Sequence, residues 1–270
     1  MPAYYCVTCG TQHADTPEPP AECPICLDER QYVRWSGQAW TTLDALRQTH
    51  RNRIEPEPPG LLGIGTEPKF AIGQRALVVS HPVHPVLWDC VSLVDDASVG
   101  AIGTAGGVAA IAISHPHYYA GMIEWSIALG GVPVYLHEAD RRWVMRPHPA
   151  IRYWSGDTHR LADGLTLIRV GGHFDGGTIL HMAAHPPGGA MLTGDVMQVC
   201  EDRRWVSFMY SYPNFIPLPP NTVRRIAAAV ARYRFDTLYG AWWGRIIASG
   251  AHQAVQRSAE RYVAHLSAGA

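Results

Sequence analysis

The residues best suited to chemistry fall into a few clusters. Near the start, Cys6-x-x-Cys9 and Cys23-x-x-Cys26 stand thirteen residues apart. Each Cys-x-x-Cys turn offers two thiolates to one tetrahedral ion, and the intervening loop is long enough to bring the pairs together. Four thiolates suit zinc or a single iron. Further along, Ser114-His115-Pro116-His117-Tyr118-Tyr119 closes an apolar run, and two histidines at i and i+2 on a strand-end loop can face one ion. Gly171-Gly172-His173 and Thr193-Gly194-Asp195 each follow another strand-like run, and Asp89 follows Val86-Leu87-Trp88. Between Asp202 and Asn214 lies an aromatic stretch with Arg203, Arg204, Tyr210 and Tyr212. Such a set can line a pocket mouth, with an arginine gripping a carboxylate or phosphate. Cys90 and Cys200 are isolated and are expected to pack as small hydrophobes.

The elements that must position these groups are read from apolar periodicity. The segment to about Trp35 is too short to hold itself together by apolar burial, so a metal is expected to supply most of its folding free energy. Residues 1–35 are therefore expected as a four-cysteine knuckle and residues 36–270 as the main domain. A short helix is expected around Leu43–His50. Glu55–Gly65, rich in Pro and Gly, is expected to be a connecting loop, because proline denies both helix and interior strand. Strands are expected at Ala76–Ser80, Val86–Val94, Val108–Ser114, Val132–His137, Leu165–Val170, Thr178–Ala184, Ala190–Thr193 and Thr237–Tyr239. Helices are expected over Tyr118–Leu129 and from Glu138 to before Pro147. Two more have apolar faces: Val223, Ile226, Ala227, Val230 and Tyr233, then Ala251, Val255, Ser258, Ala259 and Tyr262. This is an α/β pattern.

Bulk properties narrow the partners. With 47% hydrophobic and 17% charged residues a substantial core is possible, and a net charge of -1 does not indicate a basic nucleic-acid surface. No apolar run reaches the roughly 18 residues of a membrane span, and the opening MPAYYCVTCG lacks a signal pattern. A cytoplasmic protein acting on a small molecule, with neither nucleic acid nor membrane as partner, is expected. The knuckle is a candidate docking or dimerisation surface for a homo-oligomer.

Taken in order, the Asp89, His115-x-His117, His173 and Asp195 motifs resemble the metallo-β-lactamase superfamily over roughly residues 60 to 265. That resemblance implies an αββα sandwich with a metal on loops at one edge of the paired sheets. It places His115 and His117 at the first two ligand positions, His173 at the third and Asp195 at the acid that usually bridges two ions. Asp89 matches an acid that orients a ligand histidine. The family pattern His-x-His-x-Asp-His is broken here by Tyr119 and Ala120, and Trp242 or a neighbour in Gly240-Ala241-Trp242-Trp243-Gly244 stands where the family has a further histidine. Alanine cannot bind a metal, tryptophan offers only an N–H donor, and tyrosine binds well only as phenolate. One zinc or iron is therefore expected in place of two. The knuckle in turn resembles zinc ribbons and the rubredoxin-like knuckle of rubrerythrins. The glycine usual after the last cysteine of rubredoxins is replaced by Leu27, which favours zinc there over iron.

Three functions follow from this reading. The first is a mononuclear metal-dependent hydrolase of an ester, thioester, lactone or amide, since zinc on three histidines acidifies a water. Asp195 would either bind the ion or accept a proton. Tyr118 and Tyr119 would donate to an oxyanion, bind the ion, or simply pack at a helix start. The second is an iron-dependent oxidoreductase, resembling persulfide dioxygenases through His115, His173 and Asp195, or linked to a rubredoxin-type iron. The third is a metal-stabilised binding module without catalysis.

Overall fold

The computed structural model of the chain describes residues 1–57 and 60–267. They form two compact units, Met1–Trp154 and Ser155–Ala270.

In the first unit, β1 (Ala3–Cys6), β2 (Gln12–Asp15) and β3 (Trp40–Thr42) make a small antiparallel sheet in the order β2-β1-β3. A single helical turn, α1 (Pro24–Leu27), starts at Cys23, with Pro24 where a missing N–H costs nothing. The expected helix near residue 43 is α2 (Leu43–Thr49), capped by Thr42 Oγ1, which accepts from the Ala45 N–H at 3.3 Å.

A seven-stranded sheet follows: β4 (Arg51–Glu57), β5 (Leu61–Glu67), β6 (Arg75–Val79), β7 (Val86–Trp88), β8 (Ala110–Ala112), β9 (Val134–His137) and β10 (Ile151–Trp154), ordered β10-β9-β8-β7-β6-β5-β4. From β4 to β7 the pairing is antiparallel, and from β7 to β10 it is parallel. Parallel neighbours need long crossovers. Two of these hold helices, α3 (Asp96–Thr104) between β7 and β8 and α4 (Met122–Ala128) between β8 and β9. The central strands are buried at every residue.

The expectation of a loop over 55–65 is overturned at 55–57 and 61–65, where β4 and β5 form a hairpin; at residues 58 and 59 it lies outside the described residues. Pro56 is tolerated because β4 is the edge of the sheet, where a strand can spare an N–H. The glycines of β5 have a packing reason. Arg75 on β6 bonds Glu57 on β4 at 2.8 Å, with side-chain exposures of 0% and 7%. It reaches across the intervening strand on the face occupied by Gly63 and Gly65, since Arg75 opposes Gly65 and Glu57 opposes Leu61. Neither position adds a side chain to that face.

Other elements are shorter than their apolar runs. The Val86–Val94 run ends as strand at Trp88 because Asp89 turns into the left-handed region, φ 63°. The Tyr118–Leu129 helix is split: a 3-10 turn spans Pro116–Tyr118 and α4 begins only at Met122, with Ala120 at φ 25° between them. The run from Glu138 is a 3-10 turn, Glu138–Trp143.

The second unit has a six-stranded sheet. Its strands are β11 (Thr158–Ala162), β12 (Leu165–Arg169), β13 (Thr178–Met182) and β14 (Ala190–Gly194), then β19 (Thr237–Gly240) and β20 (Ile246–Ile247), in that order. Between β14 and β19 come two small hairpins, β15 (Gln198–Val199) with β16 (Val206–Ser207) and β17 (Met209–Ser211) with β18 (Ile216–Pro217). Helices α5 (Pro220–Ala231) and α6 (Ala251–Ser267) bury the faces expected from their periodicity. Val223, Ile226 and Val230 join Val255, Ile168, Ile179 and Met191 in one core, against which Tyr233 and Tyr262 pack. No helix among the described residues is long and apolar enough to cross a membrane.

Candidate metal centres

Cys6, Cys9, Cys23 and Cys26 are buried and come together as one group. Sγ of Cys6 lies 3.5 Å from that of Cys26, and Sγ of Cys9 lies 3.7 Å from that of Cys23. These separations are far longer than a disulfide of about 2.05 Å. They approach the edge of about 3.8 Å expected of a tetrahedron with metal–sulfur bonds of about 2.3 Å. Hydrogen bonds from Cys26, Cys6 and Cys9 hold the Cys23 thiol far below its ordinary value, whereas bonding to Cys23 pushes Cys9 and Cys26 up. Gln38 Nε2 donates to Cys6 Sγ at 3.1 Å, a contact that favours thiolate. The donor set thus fits a four-coordinate ion. Cys90, fully buried, and Cys200, half-buried, stand apart from it, and burial raises both thiols.

The second group is His115, His117, His173 and Asp195, all buried, with one ligand atom from each within 4.8 Å of the others. Backbone features explain how each residue is presented. Asp89, in its left-handed turn, accepts the Ser114 N–H on Oδ1 at 2.7 Å, and Ser114 Oγ meets His115 Nδ1 at 2.9 Å. Asp89 thus holds the backbone of the residue that precedes His115. Gln74 Nε2 donates to the His117 carbonyl at 2.8 Å.

His173 follows two glycines in the loop after β12, and its Nδ1 lies 2.8 Å from the Tyr210 carbonyl. A carbonyl can only accept, so Nδ1 carries the proton and Nε2 is left as the metal-binding nitrogen. Gly172 has φ 89°, and a Cβ there would lie 2.8 Å from Ile226 Cδ1 and 3.0 Å from Leu218 Cδ1. Asp195 follows β14, where Tyr212 donates its hydroxyl to the Asp195 carbonyl at 2.8 Å. Burial raises the Tyr212 phenol, and the Asp195 carboxylate adds to the shift. Three histidines and a carboxylate are a donor set that zinc or iron accepts.

The other candidates are placed as follows. The Tyr118 and His115 rings meet nearly at right angles, 5.4 Å between centroids. Burial holds the buried Tyr119 phenol well above its ordinary value, with Asp140 and Tyr153 adding to it. Arg204 forks onto Asp202 at 2.9 and 2.7 Å, both on the surface. Arg203 lies beside Gly244, in the loop that carries the half-buried Trp242. Tyr210 and Tyr212 bear on the site through a carbonyl and a hydroxyl that brace its residues. Ser114 and Gln74 also support the histidine loop. Ser114 was legible as the hydroxyl next to His115, whereas Gln74 carries no local signal.

No family model matches the chain. A protein of Bacillus subtilis (strain 168), the uncharacterized protein YmaE, is 48% identical over 270 residues, covering 99% of this chain and 98% of its own. Among solved structures, the DIM-1 metallo-β-lactamase exposed to ceftazidime superposes with a TM-score of 0.58 at 14% identity, covering 78% of this chain and 97% of its own. The FIM-1 metallo-β-lactamase from Pseudomonas aeruginosa, in a mono-zinc form, gives 0.55 at 12% identity, with 78% and 96% covered. A metallo-β-lactamase from Pontibacter korlensis gives 0.57 at 12% identity, with 78% and 99% covered.

Proposed function

The chain belongs to the family of the Bacillus subtilis protein YmaE and has the metallo-β-lactamase fold, and from that premise we propose a hydrolase working with a single metal ion. Its substrate class is an ester, thioester, lactone or amide. The observation that carries this reading is the group of His115, His117, His173 and Asp195, set beside Tyr119, Ala120 and Trp242, which stand where the metallo-β-lactamase pattern that the sequence resembles has ligands for a second ion. When bound, such an ion supplies Lewis acidity and lowers the pKa of a water.

The chain's own residues do the rest. Ser114 and the Tyr210 carbonyl engage Nδ1 of His115 and His173, which fixes both rings and reserves Nε2 for the ion. Asp195 would help to hold the ion or, as a carboxylate beside the three histidines, would accept a proton from the water. Tyr118, whose ring packs against His115, would donate to an oxyanion. The missing second ligand set argues against phosphodiester cleavage, where two metals usually flank the reacting phosphate.

Anomalous diffraction on protein soaked with excess zinc tests the single ion. One peak at the histidines is expected, and two peaks about 3.5–4 Å apart would overturn the reading. Turnover by the zinc-loaded protein on a panel of the four substrate classes tests the hydrolase, which falls if none is cleaved. A red protein with a thiolate-to-iron band would turn the reading to redox chemistry, because four cysteines suit iron as well as zinc.

A further inference from the structure

Between Ile113 and Gly121 the chain runs without regular structure except one 3-10 turn, yet it carries His115 and His117. Ala120 in this loop sits at φ 25°. An L-residue there is strained, and such a conformation persists only where its surroundings over-determine it.

Those surroundings come in large part from the knuckle. The Gln12 N–H donates to the Ala120 carbonyl at 3.1 Å. Gly121 is pressed so closely that a Cβ would lie 2.9 Å from the Ser92 carbonyl and 3.4 Å from the Tyr5 hydroxyl. Ser92 Oγ in turn donates to the Gly10 carbonyl at 2.7 Å. Gly10 immediately follows Cys9, and its N–H donates to the Cys6 carbonyl at 2.8 Å. One turn further, Glu124 Oε1 on α4 accepts from Gln12 Nε2 at 3.1 Å and from Arg146 NH1 at 2.6 Å, and Arg146 NH1 also reaches Gln12 Oε1 at 2.7 Å. The Cys6–Gln12 turn is thus tied to the segment after His117 at Ala120 and Glu124, and through Ser92 it backs Gly121.

We propose that the four-cysteine knuckle is a brace for the histidine loop. An ion on Cys6, Cys9, Cys23 and Cys26 fixes the Cys6–Gln12 turn, and that turn holds residues 120–124 so that His115 and His117 are presented to their own metal. Gln12, Ser92 and Arg146 are positioning residues and touch neither ion. The proposal rests on reading both groups as metal centres, and it makes their affinities depend on each other in both directions. A knuckle that were only an appendage would have no need of a closed Gln12–Glu124–Arg146 triad.

Cobalt(II) titration of the full-length metal-free chain separates the two sites by spectrum. Thiolate-bound cobalt gives an intense charge-transfer band in the near ultraviolet, and cobalt on nitrogen and oxygen gives only weak visible bands. Cys9→Ser is expected to lose the intense band and to weaken cobalt at the histidines about tenfold, the size of effect usual for groups that support metal ligands. Because Cys9→Ser can also fail to fold, the double variant Ser92→Ala, Arg146→Met keeps all four cysteines. It is expected to hold the intense band unchanged and still weaken the histidine site about threefold or more. Histidine-site affinity weakened by less than about threefold in the double variant would overturn the brace. A wild-type protein that binds cobalt on thiolates alone would overturn the histidine centre itself, a result recognisably different from an unchanged affinity.

Discussion

Replacing Gly172 by alanine strikes the fold and the site at one point. The residue has φ 89°, and the new methyl would meet Ile226 Cδ1 at 2.8 Å and Leu218 Cδ1 at 3.0 Å. Left-handed backbone costs an alanine about 1–2 kcal/mol. Forcing a methyl into a filled core costs about 1–3 kcal/mol more. The two together come to roughly 2–5 kcal/mol, and for units of this size about 1 kcal/mol moves the melting temperature by several degrees. A melting transition about 10 °C lower is therefore expected by calorimetry of the metal-free protein. His173 is the next residue, so bound metal at the histidines should fall as well, read by elemental analysis. Adding Ile226→Val removes the closer of the two clashing carbons and should recover part of the loss, although the same change alone destabilises by about 1 kcal/mol. A Gly172→Ala protein that melts within a degree of wild type and keeps its full metal content would refute this account of the loop.

Two further outcomes can be measured. His173→Ala should lose the ion held by the histidines and any hydrolytic activity while keeping the ion on the four cysteines; elemental analysis showing unchanged stoichiometry would mean that another residue completes the site. His159, His181 and His185 in the second unit are held below the ordinary histidine pKa by burial. The unfolded chain therefore takes up protons first as pH falls, so the stability tied to the neutral rings is present above about pH 6.5 and drains away below it. Urea midpoints between pH 7.5 and 5 should fall, and His181→Gln should flatten the slope.

The site was largely legible in the sequence because each of its groups sits at the end of an apolar run. Ala110–Ala112, Leu165–Arg169 and Ala190–Gly194 are strands, and His115, His173 and Asp195 follow them within a few residues. The α5 and α6 faces were legible for the same reason, a period near 3.6 over many residues. What escaped was whatever depends on a distant partner. The β4–β5 hairpin was hidden because Pro56 and the glycines of LLGIG look like loop until the edge position and the crossing arginine are known. The break in the Tyr118–Leu129 helix comes from Ala120, whose backbone is set by a contact with Gln12, 108 positions earlier in the sequence. Gln74 and Gln12 are polar residues with no motif around them, and only the folded chain brings their hydrogen bonds to the histidine loop.

The arginine that crosses β5 has a consequence for how this family changes over time. Losing Arg75 takes from the buried Glu57 its ion-pair partner, at a cost of about 3–5 kcal/mol, whereas exchanging both for apolar residues of similar volume is close to neutral. A bulky residue at Gly63 or Gly65 would share its face of the sheet with the crossing arginine and is expected to follow the loss of that arginine. Positions 57, 63, 65 and 75 are therefore expected to be inherited together. Across diverged relatives they are expected to keep the set Glu, Gly, Gly and Arg intact or to have lost the charges and the glycines together, with mixed states rare.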